Sequence, residues 1–292
     1  MKKLKVIALS VLAFVTIASM VFVSCQKSVE VIPEKNTEVK TNSITLSKEI
    51  FDLDKKISTN KSTRVTTKKI VGYAVADGSA AIGTFKGTVG IVGPGYAAAF
   101  GFLGGICGSL YHGWQQGDYL TIKPYIPPTT SLPNFITDLN NPLSVGVAHN
   151  KLLSELVNNP KISFSNYSNL MSTSYNYLVK RTATEFNLNE NIIRENFTLD
   201  QYKSVGVENR VSLPLNISKE VSNGGNINIL NYTNEYLIRF QNPSATLEDL
   251  ILYSDIFIEN INQQSNLSQQ EKYNIKAIIS VFKNSLLYWQ NV

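Results

Sequence analysis

Tyr96-Ala97-Ala98-Ala99-Phe100-Gly101-Phe102-Leu103-Gly104-Gly105-Ile106-Cys107-Gly108-Ser109-Leu110-Tyr111-His112-Gly113 is the stretch that decides the fold. It carries a small residue at every fourth position: Ala97, Gly101, Gly105, Ser109 and Gly113. Upstream, Ser79, Gly83 and Gly87 keep the same interval. Residues four apart share one face of an α-helix, so each run predicts a helix with a bare stripe. Two such stripes let helix backbones approach closely. Gly93-Pro94-Gly95 separates the runs and reads as a turn. The pattern predicts a glycine-zipper-like helical hairpin within residues 67–116, with arms over 69–92 and 96–111. Twelve of the chain's 17 glycines lie between Gly72 and Gly113. Asp77, Lys86 and His112 are the only acidic, basic or histidine residues from Ile70 to Gly113.

Glycine disfavours helix by about 1 kcal/mol per residue relative to Ala. The hairpin therefore needs a partner surface, and three readings stay open: close-packed helices inside the folded protein, insertion into a membrane, or self-association. The second predicted arm is about 24 Å long, short of a hydrocarbon core of about 30 Å. The pattern resembles the glycine-rich hairpins of class II bacteriocins and of glycine-zipper outer-membrane lipoproteins. That resemblance implies assembly or membrane contact and covers about forty residues.

Toward the N-terminus, Lys2, Lys3 and Lys5 precede an uncharged run from Val6 to Val23. A basic start, an apolar run and a small residue before the cut form the layout of a secretory signal. Phe22-Val23-Ser24-Cys25 resembles the lipobox of bacterial lipoproteins, with Phe22 where that family usually has Leu. The resemblance implies removal of residues 1–24 and acylation of Cys25. Two other outcomes stay open: cleavage with Cys25 left as a thiol, or an uncut anchor, since about 18 apolar residues just span a bilayer. More than one acyl chain would give stable anchoring. Gln26-Lys27-Ser28-Val29-Glu30 partly resembles the export signal of surface-exposed Bacteroidetes lipoproteins, which leans the expected location to the outer face of the outer membrane. Residues 25–66 read as a polar, lipidated tether, with a short helix near Ile44–Ile57. Its basic end, from Lys55 to Lys69, suits either a solvated linker or contact with anionic headgroups.

Toward the C-terminus, Pro124, Pro127, Pro128, Pro133 and Pro142 make residues 117–141 a connector that excludes regular helix. Residues 142–292 read as a separable helical unit. Val145, Ala148, Leu152 and Leu156 form one apolar stripe, and Tyr167–Phe186 a second helix. Short helices follow near Glu190–Asn196 and Leu199–Ser204, and residues 205–230 are ambiguous. Leu247, Leu250, Ile251, Ser254, Ile258 and Ile261 follow a helical repeat. Ser268-Gln269-Gln270-Glu271 is a capping box, opening a helix with the face Ile275, Ile278, Ile279, Phe282, Leu286 and Trp289. The predicted class is mainly α: the hairpin followed by a small helical bundle.

The net charge of +5 owes three bases to the signal, so the chain from Cys25 carries 24 bases against 22 acids. That near balance, with no basic patch beyond residue 118, gives no footprint for nucleic acid. With Cys25 lipidated, Cys107 has no disulfide partner, so core packing must supply the stability. The abundant Asn reads as composition rather than function.

Candidate chemistry is sparse. Cys107 and His112 are five apart, roughly 500° around a helix, so they do not share a face. His149 stands at the start of a helix beside Asn150 and is the one speculative polar site, either bonded to backbone or acting in acid–base or metal chemistry. The segment Gly146-Val147-Ala148-His149-Asn150 resembles a Gly-x-x-His-Asn element of uncharacterised Bacteroidetes lipoproteins. Those proteins also carry a Gly/Ala-rich segment with an Asp near its start, as Asp77 is here, and end in a Tyr-Trp-rich helix, as Tyr288-Trp289 does. That resemblance brings no known activity. No HExxH, CxxC pair, GxSxG or GxxxxGK[ST] occurs, so neither a metal nor a cofactor is expected. Two functional classes follow. One is a non-catalytic envelope lipoprotein that binds a protein partner through its helical domain, with the hairpin for assembly or membrane contact. The other is a secreted, membrane-active factor.

Overall fold

Eleven helices and no strand form the residues described in this computed structural model, which are 44–59, 66–88, 93–117, 138–208 and 215–290. All of them belong to one compact unit, Asn42–Val292. Of the expected tether 25–66, residues 25–43 and 60–65 lie outside the described residues, as do 118–137 of the proline connector, while Lys48–Thr59 is a helix that buries Ile50, Leu53 and Ile57 in the body rather than a polar tether.

The hairpin arms are α2 (Thr66–Thr88) and α3 (Pro94–Gln116). α3 is longer than its expected arm, and α2 begins three residues before its own. Pro94 opens α3 because its fixed φ suits the first helical position and its missing N–H costs nothing there. Gly117 closes it at φ +68, donating back to the carbonyls of Gly113 and Trp114. Six glycines inside α3 cost roughly 6 kcal/mol against Ala. Phe100, Phe102, Leu103, Ile106 and Leu110 of the same helix are at most 1% exposed, which stabilises by roughly 10 kcal/mol. Packing, not propensity, holds α3 helical.

The closest approach of the two backbones is not on the expected stripe. It is made at Gly104 and Gly108, where an added Cβ would press on the carbonyl oxygens of Ala80 and Ala76 in α2. The stripe of Gly101, Gly105 and Ser109 instead meets side chains: the Phe85 ring, His149 with Val281, and Asp77. The physical reason is that α3 is glycine-rich on two adjacent faces, and only one can meet the α2 backbone.

α11 (Gln269–Trp289) is the helix around which the rest is arranged. Its expected apolar face is buried throughout, and the Ser268/Glu271 capping box forms. Gly78 of α2 gives way to the Phe282 ring of α11, since a Cβ there would overlap that ring. Gly146 of α4 (Leu143–Val157) likewise lets the Ser280 carbonyl of α11 approach. The hairpin and the C-terminal helices therefore share one hydrophobic core.

α5 (Tyr167–Glu185) is joined to α4 by Arg181 on Glu155 and by Lys151 on Glu185. α6 (Glu190–Asn196) and α7 (Leu199–Glu208) follow, and Tyr202 of α7 accepts the buried Cys107 thiol on its carbonyl at 2.8 Å. α8 (Ile217–Ser222) and α9 (Ile227–Phe240) resolve the ambiguous stretch. α10 (Leu247–Gln263) opens on a second capping box, Thr246 with Asp249. α1 (Lys48–Thr59) docks by burying Ile50, Leu53 and Ile57, and by Asp54 on Arg239 and on the Tyr253 hydroxyl. The asparagines are more than composition. Asn166, Asn189, Asn216 and Asn226 each cap a helix by accepting from its first backbone N–H groups.

Candidate functional site

Asp77 lies midway along α2 with no exposed surface. Side chains from three other helices converge on it. Ser109 of α3 donates to Oδ1. Ser285 of α11 donates to Oδ2 at 2.5 Å, and Trp289 Nε1 donates to the same oxygen at 3.4 Å. His149 of α4 places Nε2 3.4 Å from Oδ2. Ser285 and Trp289 reach one carboxylate because they are four apart on one helix. Tyr73, four residues before Asp77, stacks on the Trp289 indole at 3.9 Å between centroids and meets His112 edge-on at 4.7 Å.

The Gly146-Val147-Ala148-His149-Asn150 segment now has a physical reading. Gly146 brings α4 against the α11 backbone, and its N–H donates to Ser280 Oγ at 3.2 Å. That proximity lets Asn150 Nδ2 donate to the Asn284 carbonyl at 2.7 Å. Asn150 Oδ1 is thereby turned to His149 Nδ1, 3.0 Å away. An amide oxygen only accepts, so Nδ1 carries a proton. His149 Nε2 is left facing Asp77 Oδ2 and makes no hydrogen bond.

Burial pushes the Asp77 carboxyl above the usual carboxylate range, and the His149 charge and the bonds from Ser109, Ser285 and Trp289 pull it partly back. A buried carboxylate with an imidazole at this distance forms a neutral pair when they hold one proton between them. The residue types match a serine–histidine–aspartate set, but the arrangement differs. Activation of a nucleophile needs a hydroxyl bonded to the imidazole. Here both hydroxyls donate to the carboxylate instead. No group of three or more His, Cys, Asp or Glu among the described residues could hold a metal ion.

Of the expected site residues, Gly105, Ser109 and His149 meet at this centre. Gly105 sits beside the imidazole, with His149 Cδ2 2.9 Å from where its Cβ would be. Ala97, Gly101 and Gly113 are buried on α3, Ser79 is buried on α2, and Gly83 is half-buried there. Gly87 ends the α2 stripe. Asn150 orients the ring. Cys25 lies outside the described residues. Cys107 and His112 do not meet: the thiol faces Tyr202 and the ring faces Tyr73.

Ser285 and the role of Trp289 were not read from the sequence. The available signal was a serine within the apolar face Ile278, Phe282, Leu286. Asp77, the single charge between Ile70 and Phe85, was the matching one. No described helix is long and apolar enough to cross a membrane. Comparison with protein-family models, with curated proteins and with solved structures finds no match to this chain.

Proposed function

We propose that this protein is a non-catalytic lipoprotein of the bacterial cell envelope, tethered through Cys25 at the outer membrane with a lean to its outer face, whose helical body binds a protein partner. The tether reading rests on residues 2–25, the basic start, the uncharged run and the cysteine after Ser24. One observation carries the reading of the body. The hairpin glycines are occupied by this chain's own atoms, Gly78 by Phe282, Gly101 by Phe85 and Gly108 by Ala76. This supports a hairpin that serves as an internal core element and leaves partner binding to the outer helix faces.

Replacing Cys25 with Ala tests the tether. The variant should lose incorporation of labelled palmitate and leave the membrane fraction after a carbonate wash. Retention in the membrane would sink the lipid tether. The released variant should also cause no leakage of dye-loaded vesicles, because the hairpin would have to abandon its core contacts to insert. Leakage would favour the membrane-active reading.

A further inference from the structure

We propose that Asp77 and His149 form a one-proton latch, holding the hairpin against α4 and α11 only within a bounded pH range. The geometry fixes the proton count. His149 Nδ1 is committed to Asn150 Oδ1 at 3.0 Å, so only Nε2 and the Asp77 carboxyl can gain or lose a proton between them. With one proton the pair is neutral, either as carboxylate with imidazolium or as carboxylic acid with imidazole. With none, a buried carboxylate faces a ring lone pair. With two, a buried net positive charge has a donor facing a donor. Both alternatives bury an uncompensated charge, which is strongly destabilising.

Among the described residues, no other group at the centre supplies the missing charge. α2 brings Tyr73 and Asp77, α3 brings Ser109, α4 brings His149 and Asn150, and α11 brings Val281, Ser285 and Trp289. His149 is the one ion-pair partner of Asp77 among the described residues. The next histidine, His112, is held beyond the Tyr73 ring. Because the four elements joined here are the two hairpin arms and the two helices they pack on, the pair's charge acts directly on that junction.

The pH window follows from proton counting. In the unfolded chain a free Asp titrates near ~3.9 and a free His near ~6.5. Between those values the unfolded chain also holds one proton on these two residues, so this site adds no pH dependence. Above ~6.5 the unfolded chain releases its proton while the folded pair keeps one. The folding constant then falls about tenfold per pH unit. Below ~3.9 the unfolded chain takes a second proton and the fall is mirrored. Burial raising the Asp77 carboxyl acts in the same direction on the alkaline side, because a raised carboxyl loses its stabilising proton as pH rises.

The test is urea denaturation of the full chain in detergent from pH 3 to pH 9, as wild type and as Asp77→Asn. Where His149 of the unfolded variant is already neutral, above about pH 6.5, the ratio of the two cancels titrations outside the pair. Above about pH 6.5 the wild-type folding constant should fall relative to Asp77→Asn by about tenfold per pH unit. Parallel profiles would overturn the latch. If Asp77→Asn does not fold, nitrogen NMR of the wild-type histidine rings decides, with His112→Gln giving the assignment. The His149 ring should keep one unchanged signal set across the plateau, and a ring titrating like a free histidine would overturn the proposal.

Discussion

At the residue scale, the glycines of α3 separate by what they face. Gly108 faces a backbone carbonyl that cannot move without displacing α2. Gly105 faces side-chain atoms of His149 and Val281 at 2.9 and 3.1 Å, so the imidazole, not a backbone, would have to shift. Gly117 faces open space but sits at φ +68. Gly108→Ala should therefore lie at the upper end of the ~1–3 kcal/mol typical of overpacking. Gly105→Ala should cost less than Gly108→Ala, because side chains rather than backbone face it, and Gly117→Ala should cost about 1 kcal/mol from its left-handed backbone alone. Urea midpoints of the three variants give the order. Equal losses at Gly108 and Gly117 would show that α2 and α3 do not touch as described.

At the element scale, α11 starts where two helices are joined. Glu271 Oε2 accepts from the Ser268 N–H and hydroxyl, closing the capping box. Glu271 Oε1 accepts from the amides of Asn226 and Asn228 at the start of α9. Those bonds, with burial opposing them, leave its carboxyl below the usual range. Loss of an N-cap serine typically costs about 1 kcal/mol. Ser268→Ala should cost that much, and Glu271→Ala should cost more, because it also frees two amides of α9. Thermal melts of the two variants compare them directly. A Glu271→Ala loss no larger than that of Ser268→Ala would leave the α9 amides without energetic weight.

At the scale of the whole molecule, the hairpin is the surface on which α11 and α4 close. Phe282 lies on Gly78, Val281 on Gly105, and Trp289 on Tyr73. A fragment of residues 138–292 would leave those rings and His149 facing water. Its size alone would permit folding, but its central helix would lack one wall. The fragment should melt without cooperativity and elute as aggregates. A cooperative, monomeric melt by circular dichroism and size exclusion would show that the helical unit is separable after all.

Local chemistry was legible in the sequence. The four-residue spacing of α3, the turn at Gly93-Pro94-Gly95, the box at Ser268 and the stripe of Val145, Ala148, Leu152 and Leu156 depend on residues a few positions apart. Helix existence follows from such short-range periodicity. Residues 227–240 carried the same kind of signal, with Asn226 after Gly224-Gly225 at their start and a one-sided apolar pattern, but the ambiguous stretch 205–230 cut across that start. What only the tertiary structure decided is which faces meet. The interval of four gave one stripe on α3, through Gly101 and Gly105, and packing assigned the backbone contact instead to Gly104 and Gly108. Asp77, Ser109, His149 and Ser285 lie as much as 208 residues apart, and no local rule links them. They meet because one buried carboxylate needs donors, and three helices packed with α11 bring those groups within reach.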